Sequence, residues 1–195
     1  MNRQAIAAIE EHVFTQALQQ PFEQRRRPGP LLLYGPGRPS EGALRSLLRR
    51  EFTLALADLT DAKWRESNLM FCYQLAHCLV DGLRQVDAGA HPIAPAQALF
   101  AGRPFSTLDL TLDEIEQDAQ RRKRYVYLIL NDYDQLDEGV QTGRLSAADL
   151  NQLRHIIQHR EYIAVLLSSS RPPWELAGAV WTDYLINVRM VETGA

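Results

Sequence analysis

Hydrophobic positions set out the elements of this chain before any motif does. Ala5, Ile6, Ile9, Val13 and Ala17 recur at helical spacing and predict a helix over 4–20. A polar, proline-bearing connector leads from Gln19 to Pro30. Leu31-Leu32-Leu33-Tyr34 is a short apolar run without alternation, the mark of a strand buried on both faces. Ala43, Leu44, Leu47 and Leu48 predict a helix over 42–51, and Phe52 to Leu59 a second strand. Leu69, Cys72, Tyr73, Ala76, Val80 and Leu83 predict a long helix over 66–86. The stretch from Ala88 to Phe105, broken by prolines and glycines, reads as an irregular crossing. Leu108, Leu112 and Ile115 predict a helix over 107–121, with Thr111-x-x-Glu114 matching a capping box. Tyr125 to Leu130 is the clearest strand and an acidic loop follows it. Then come a helix over 146–160, a strand from Tyr162 to Leu167, a short helix over 174–183 and a last strand from Leu185 to Val191.

Five strands alternating with helices imply an α/β fold in three layers, a mainly parallel five-stranded sheet with helices on both faces. The expected division is an N-terminal helix and connector over 1–29 and one core domain over 30–195.

Composition narrows the functions. A net charge of −3 gives no overall basic footprint, so no nucleic-acid partner is expected. Arg25 to Arg27 and Arg121 to Arg124 are local basic runs, read as solvated strand entrances. No apolar run is long enough to span a bilayer, and the N-terminus has no signal-like segment, so a cytoplasmic protein is expected. Cys72 and Cys78, six apart on one predicted helix, splay off one face and read as buried thiols rather than a disulfide or metal pair.

In a parallel sheet, ligands bind beyond the carboxyl ends of the strands. Three loops lie there. The first, Gly35-Pro36-Gly37-Arg38-Pro39-Ser40-Glu41-Gly42, occupies the place of a Walker A loop between strand and helix. That motif needs a glycine turn to cradle phosphates, a Lys for the terminal phosphates and a hydroxyl for magnesium. Counted from Gly35, the Gly-Lys-Thr positions hold Ser40, Glu41 and Gly42. Counted from Gly37, Gly42 fits, but Ala43 and Leu44 follow it. Lys63 and Lys123 are the only lysines, and neither follows a glycine loop. A carboxylate at the lysine position reverses an interaction of roughly 4 kcal/mol at ~4 Å and an effective dielectric of ~20. Pro39 removes a further N–H donor.

The second loop, Asn131-Asp132-Tyr133-Asp134-Gln135-Leu136-Asp137-Glu138, is in the place of a Walker B segment. Asn131 stands where the magnesium-binding Asp belongs, and Asp132 where the water-positioning Glu belongs. The cluster reads as a solvated acidic loop at a helix N-terminus. The third, Ser168-Ser169-Ser170-Arg171, has the place of a γ-phosphate sensor but the composition of an ordinary turn. His155 and His159 have zinc-ligand spacing, yet Ile156 stands where a metalloprotease needs Glu, so no metal site is expected.

At these residues the chain resembles bacterial STAND-type, AAA-related P-loop ATPase domains. The likeness runs through Leu31 to Gly35, Ala43 to Leu48, Phe71 to Ala76, Asn131 to Asp137, Leu153 to Arg160 and Leu185 to Arg189. It implies a P-loop NTPase-like core, ATP and magnesium at the two Walker segments, and work in signalling or defence assemblies. Because both segments depart from the pattern, the expectation is a pseudo-ATPase with no catalytic residue and no cofactor, acting through a protein partner or self-association. Gly35, Gly37, Arg38, Ser40, Glu41, Gly42, Asn131 and Asp132 would be the remnant nucleotide site. The alternative is a domain that still binds ATP with magnesium and hydrolyses it weakly or not at all. An unrelated enzyme in the same crevice is a third reading, without a defensible nucleophile–base pair. The family's helical lid is not expected, since the chain stops at Ala195.

Overall fold

A computed structural model describes residues 30–35, 52–86, 89, 92–176 and 188–192. The strands are β1 (Leu31–Tyr34), β2 (Phe52–Asp58), β3 (Tyr125–Asn131), β4 (Ile163–Ser169) and β5 (Arg189–Glu192). The helices are α1 (Asn68–Val86), α2 (Pro104–Arg122), α3 (Gln135–Gln141) and α4 (Ala147–Gln158). The strands form one sheet in the order β2-β3-β4-β1-β5, every pair parallel. The predicted helices over 4–20 and 42–51, the connector before Pro30, and most of the helix over 174–183 lie outside the described residues. So do Leu185 to Asn187 of the last strand; β5 is described from Arg189.

Burial explains the unbroken apolar runs. All seven residues of β4 are buried, as are the middle five of β3. Ala55, Ala57, Val126, Leu128, Leu130, Val165 and Leu167 join the one core that also takes in side chains of α1 to α4. Leu33, Leu54, Tyr127, Ile129 and Leu166 form a second buried cluster on the other face. A strand wet on one face would alternate; these are dry on both.

Local chemistry sets the helix ends. The Ser67 hydroxyl accepts the Met70 N–H at 3.2 Å and caps α1. Pro104 occupies the first turn of α2, where its missing N–H has no partner to lose. Helix α2 therefore begins earlier than the capping-box match suggests. Thr111 is buried mid-helix, and its hydroxyl donates back to the Thr107 carbonyl at 2.8 Å rather than capping anything. At the other end Lys123 closes α2 in a left-handed conformation, φ 54°. Arg121 and Arg122 are not simply solvated: both bind buried Asp118, at 3.3 Å and 3.0 Å. Buried Arg160 fastens α2 to the entrance of β4 through the carboxylates of Asp109 and Asp113 and the Asp109 carbonyl.

Candidate functional site

The crossover order places a crevice beside β1. Chain leaving β1 runs toward β2, at one edge of the sheet, while chain leaving its neighbour β4 runs to β5, at the other. Strands whose continuations part in this way open a cleft at their carboxyl ends. Gly35 ends β1 there with φ 120°, a conformation that requires glycine, and its N–H donates to the Ser169 carbonyl at 3.0 Å. Gly37, Arg38, Ser40, Glu41 and Gly42 lie outside the described residues.

The ends of β3 and β4 meet in one polar cluster. Asn131 is half-buried and Asp132 buried. The Asn131 side chain accepts a hydrogen bond from the Ser168 hydroxyl, and its amide donates to the Asp132 carboxylate at 3.1 Å. The Asp132 N–H donates to the Ser168 hydroxyl at 3.3 Å, and the Tyr133 N–H to the Ser168 carbonyl at 2.7 Å. Asp132 holds φ 58°, a left-handed turn that Asp tolerates better than most residues, and this turn leads into α3.

The acidic segment leads into a helix as expected, but three of its acids are turned inward rather than solvated. Asp132, Asp134 and Asp137 are 4%, 2% and 1% exposed. Buried carboxylates require partners, and the loop after β4 supplies them. Ser170 donates to Asp134 through its N–H at 3.1 Å and its hydroxyl at 2.7 Å. Arg171 bridges Asp134 at 3.6 Å and Asp137 at 3.4 Å, and donates to the Asp134 carbonyl at 3.3 Å. Gln141 adds a donor to Asp137 at 2.7 Å. The serine run is thus no ordinary turn, and Arg171 is its most consequential member. Arg65, in the 3₁₀ turn Ala62–Arg65 after β2, joins the same rim by binding Gln135 at 3.1 Å and the Glu138 carboxylate.

Chemically the cluster is engaged with itself. Asn131 carries no charge, Asp134 and Asp137 share the one cation of Arg171, and the hydroxyls of Ser168, Ser169 and Ser170 all donate to groups of the fold. The rings of His155 and His159 pack edge to face with centroids 4.8 Å apart. Among the described residues no three His, Cys, Asp or Glu side chains come together to hold a metal, and no described helix is long and apolar enough to cross a membrane. Cys72 and Cys78 are both free thiols.

The sequence matches no protein-family model and none of the curated proteins. Solved structures do match. The Orc1 protein of Aeropyrum pernix in complex with DNA is similar at 16% identity and a TM-score of 0.53, over 99% of this chain and 45% of that one. A chain of Drosophila ORC bound to DNA is similar at 15% identity and a TM-score of 0.55, over 98% of this chain and 91% of that one. A Walker-type ATPase of Pyrococcus abyssi is similar at 12% identity and a TM-score of 0.60, over 94% and 52%. The chain thus spans about half the length of the two archaeal proteins. At these identities the likeness establishes architecture: the chain has an α/β, P-loop NTPase-like fold of the kind found in Walker-type and ORC-related ATPases.

Proposed function

We propose that this chain is a catalytically inactive, P-loop NTPase-fold protein, a pseudo-ATPase of the STAND-type, AAA-related kind, serving as an interaction or regulatory module. The motifs it shares with that family suggest a signalling or defence-type assembly as its setting. One observation carries the reading. Asn131, at the end of β3 where a magnesium-binding acid would stand, is neutral and bonded on both sides, to Ser168 and to Asp132. The acids beyond it are held by Arg171, a cation built into the fold. An amide whose oxygen is already taken by Ser168, beside carboxylates turned toward an internal cation, does not suit a hard divalent cation, which takes charged or carbonyl oxygens left free to coordinate. In the glycine loop, Glu41 at a lysine position adds repulsion toward phosphate. The partner would be a protein or a second copy of the chain, since a net charge of −3 does not favour nucleic acid.

Calorimetric titration with ATP, ADP and GTP, each with and without magnesium, tests the reading. A DNA duplex is titrated in parallel, and sedimentation reports self-association. No heat at millimolar nucleotide is expected. Micromolar, magnesium-dependent binding would overturn the proposal in favour of a nucleotide-binding domain with weak or no hydrolysis, and tight DNA binding would overturn the choice of partner.

A further inference from the structure

The turn after β4 displays an aromatic ring at the carboxyl end of the sheet. Pro172 leads into a single 3₁₀ turn, Pro173–Glu175, which Leu176 closes. The two prolines fix φ, and Pro173 and Leu176, both buried, anchor the turn to the fold. Trp174 between those anchors is 69% exposed. Its ring meets Tyr34, the last residue of β1, edge to face, with centroids 5.4 Å apart and planes at 77°. Such a contact covers a face of one ring only, and at this exposure the indole stays mainly in water.

The sheet register adds to this pair. Tyr34 stands beside Glu192, and Leu32 beside Met190, in the parallel pairing of β1 with β5. In-register neighbours share a face of the sheet, as do residues two apart on one strand. Tyr34, Met190 and Glu192 therefore project from the face that carries Leu32 and Val188, and Trp174 joins them through Tyr34. Met190 and Glu192 are exposed, and so is Glu175, next to the indole in sequence. Of the large apolar side chains that the described residues leave exposed, Trp174 alone is aromatic.

Charge and shape select the occupant. Among the described residues no ion pair holds Glu175 or Glu192. Arg171, three residues before Trp174, is committed to Asp134 and Asp137. Arg189, three residues before Glu192 on the same strand, projects from the opposite face. The patch thus combines an exposed indole, an apolar margin and two carboxylates without a cation of their own. A guanidinium suits all three, since it is planar, stacks on an aromatic face and forks its N–H groups to a carboxylate. We infer that Trp174, Tyr34 and Glu192 form a docking point for an arginine carried by a protein partner, with Met190 and Glu175 at its margin. The inference rests on the reading that the chain works through a protein partner, and it stands whether or not a nucleotide binds.

The test is selection of random peptides on the full chain by phage display, followed by anisotropy titration of the selected peptides. Arginine-bearing sequences are expected. Trp174→Ala should lower their affinity about tenfold, as for loss of one partly desolvated cation–π contact. Trp174→Phe should cost less, and Glu192→Gln about threefold, as for an exposed charge. Replacing the peptide arginine by citrulline, which keeps the shape and removes the charge, should cost as much as Trp174→Ala. Urea midpoints check that each variant is folded, and the citrulline peptide tests the docking point on the unaltered protein. Selected peptides without arginine, or affinity unmoved by Trp174→Ala or by citrulline, would overturn the docking point and leave the partner reading standing. No selected peptide at all would count against both. Self-association in sedimentation that Trp174→Ala abolishes would replace the arginine partner by a second copy of the chain.

Discussion

Replacing Asn131 by Asp restores the acid that a Walker B segment would carry, and the surroundings determine what that does to the fold. The Asn131 amide donates to the Asp132 carboxylate at 3.1 Å. In Asn131→Asp that donor becomes a second carboxylate at the same distance. Two unit charges so placed repel by about 5 kcal/mol at an effective dielectric of about 20. The pair has a cheaper escape, which is to take up one proton. Protonating a carboxyl with an ordinary value near 3.9 costs about 4 kcal/mol at pH 7, and this sets the ceiling. The proton taken up then bridges the two carboxyls and replaces the hydrogen bond that the amide made. Asn131 is half-buried, so water screens part of the repulsion, and a net loss of about 3–4 kcal/mol at pH 7 is expected. The pH dependence has a definite sign. The folded variant binds a proton more tightly than the unfolded chain, so its deficit is small below the ordinary carboxyl value and grows as pH rises. Urea unfolding of both proteins at pH 4.5, 5.5 and 7 measures this directly. A variant as stable as the parent at pH 7, or one with the same deficit at all three values, would refute the reasoning and with it the described bond between Asn131 and Asp132.

Two further predictions rest on other parts of the fold. Gly82→Ala gains about 1 kcal/mol of helix propensity, but its Cβ would meet the Leu54 carbonyl at 2.7 Å and the Ala55 Cα at 3.0 Å. Backbone cannot step aside as a side chain does, so overpacking of about 1–3 kcal/mol wins and urea midpoints should fall; Gly139→Ala, which meets the Leu145 side-chain tip at 2.7 Å, should cost less. Burial, with a smaller contribution from Asp81, pushes the Cys78 thiol up from 9.0 to about 12. Iodoacetamide at pH 8 should therefore label native Cys78 about a thousandfold more slowly than the urea-unfolded chain, as read by peptide mass spectrometry; equal rates would contradict the described burial.

Sequence periodicity reached the frame of this fold because its central strands β1, β3 and β4 are buried on both faces and so read as continuous apolar runs. Leu31 to Tyr34 and Tyr125 to Leu130 fall on β1 and β3, and Phe52 to Leu59 on β2 with one residue over. The long helix over 66–86 became α1, beginning at Asn68 because Ser67 caps it. Periodicity failed where a polar residue's partner lies far along the chain. Asp134 and Asp137 look like solvent-facing acids until Arg171, 37 and 34 residues away, is brought beside them. Thr111 and Glu114 match a cap by spacing, but Pro104 had already started the helix a full turn or more earlier. At the candidate site, Asn131 was visible as an amide in an acid's position. That its oxygen is occupied by Ser168 was not, since that depends on the register that sets β3 beside β4.

The Arg171 bridge also constrains how this rim can change over generations. Acquiring an acid at 131 alone sets a new carboxylate against Asp132. Losing Arg171 alone leaves Asp134 and Asp137 buried with their bridging cation gone. Each step by itself lowers stability, and a domain only about 5–15 kcal/mol from unfolding absorbs few such losses. Any route toward a metal-binding rim that changes either residue therefore begins with a loss of stability.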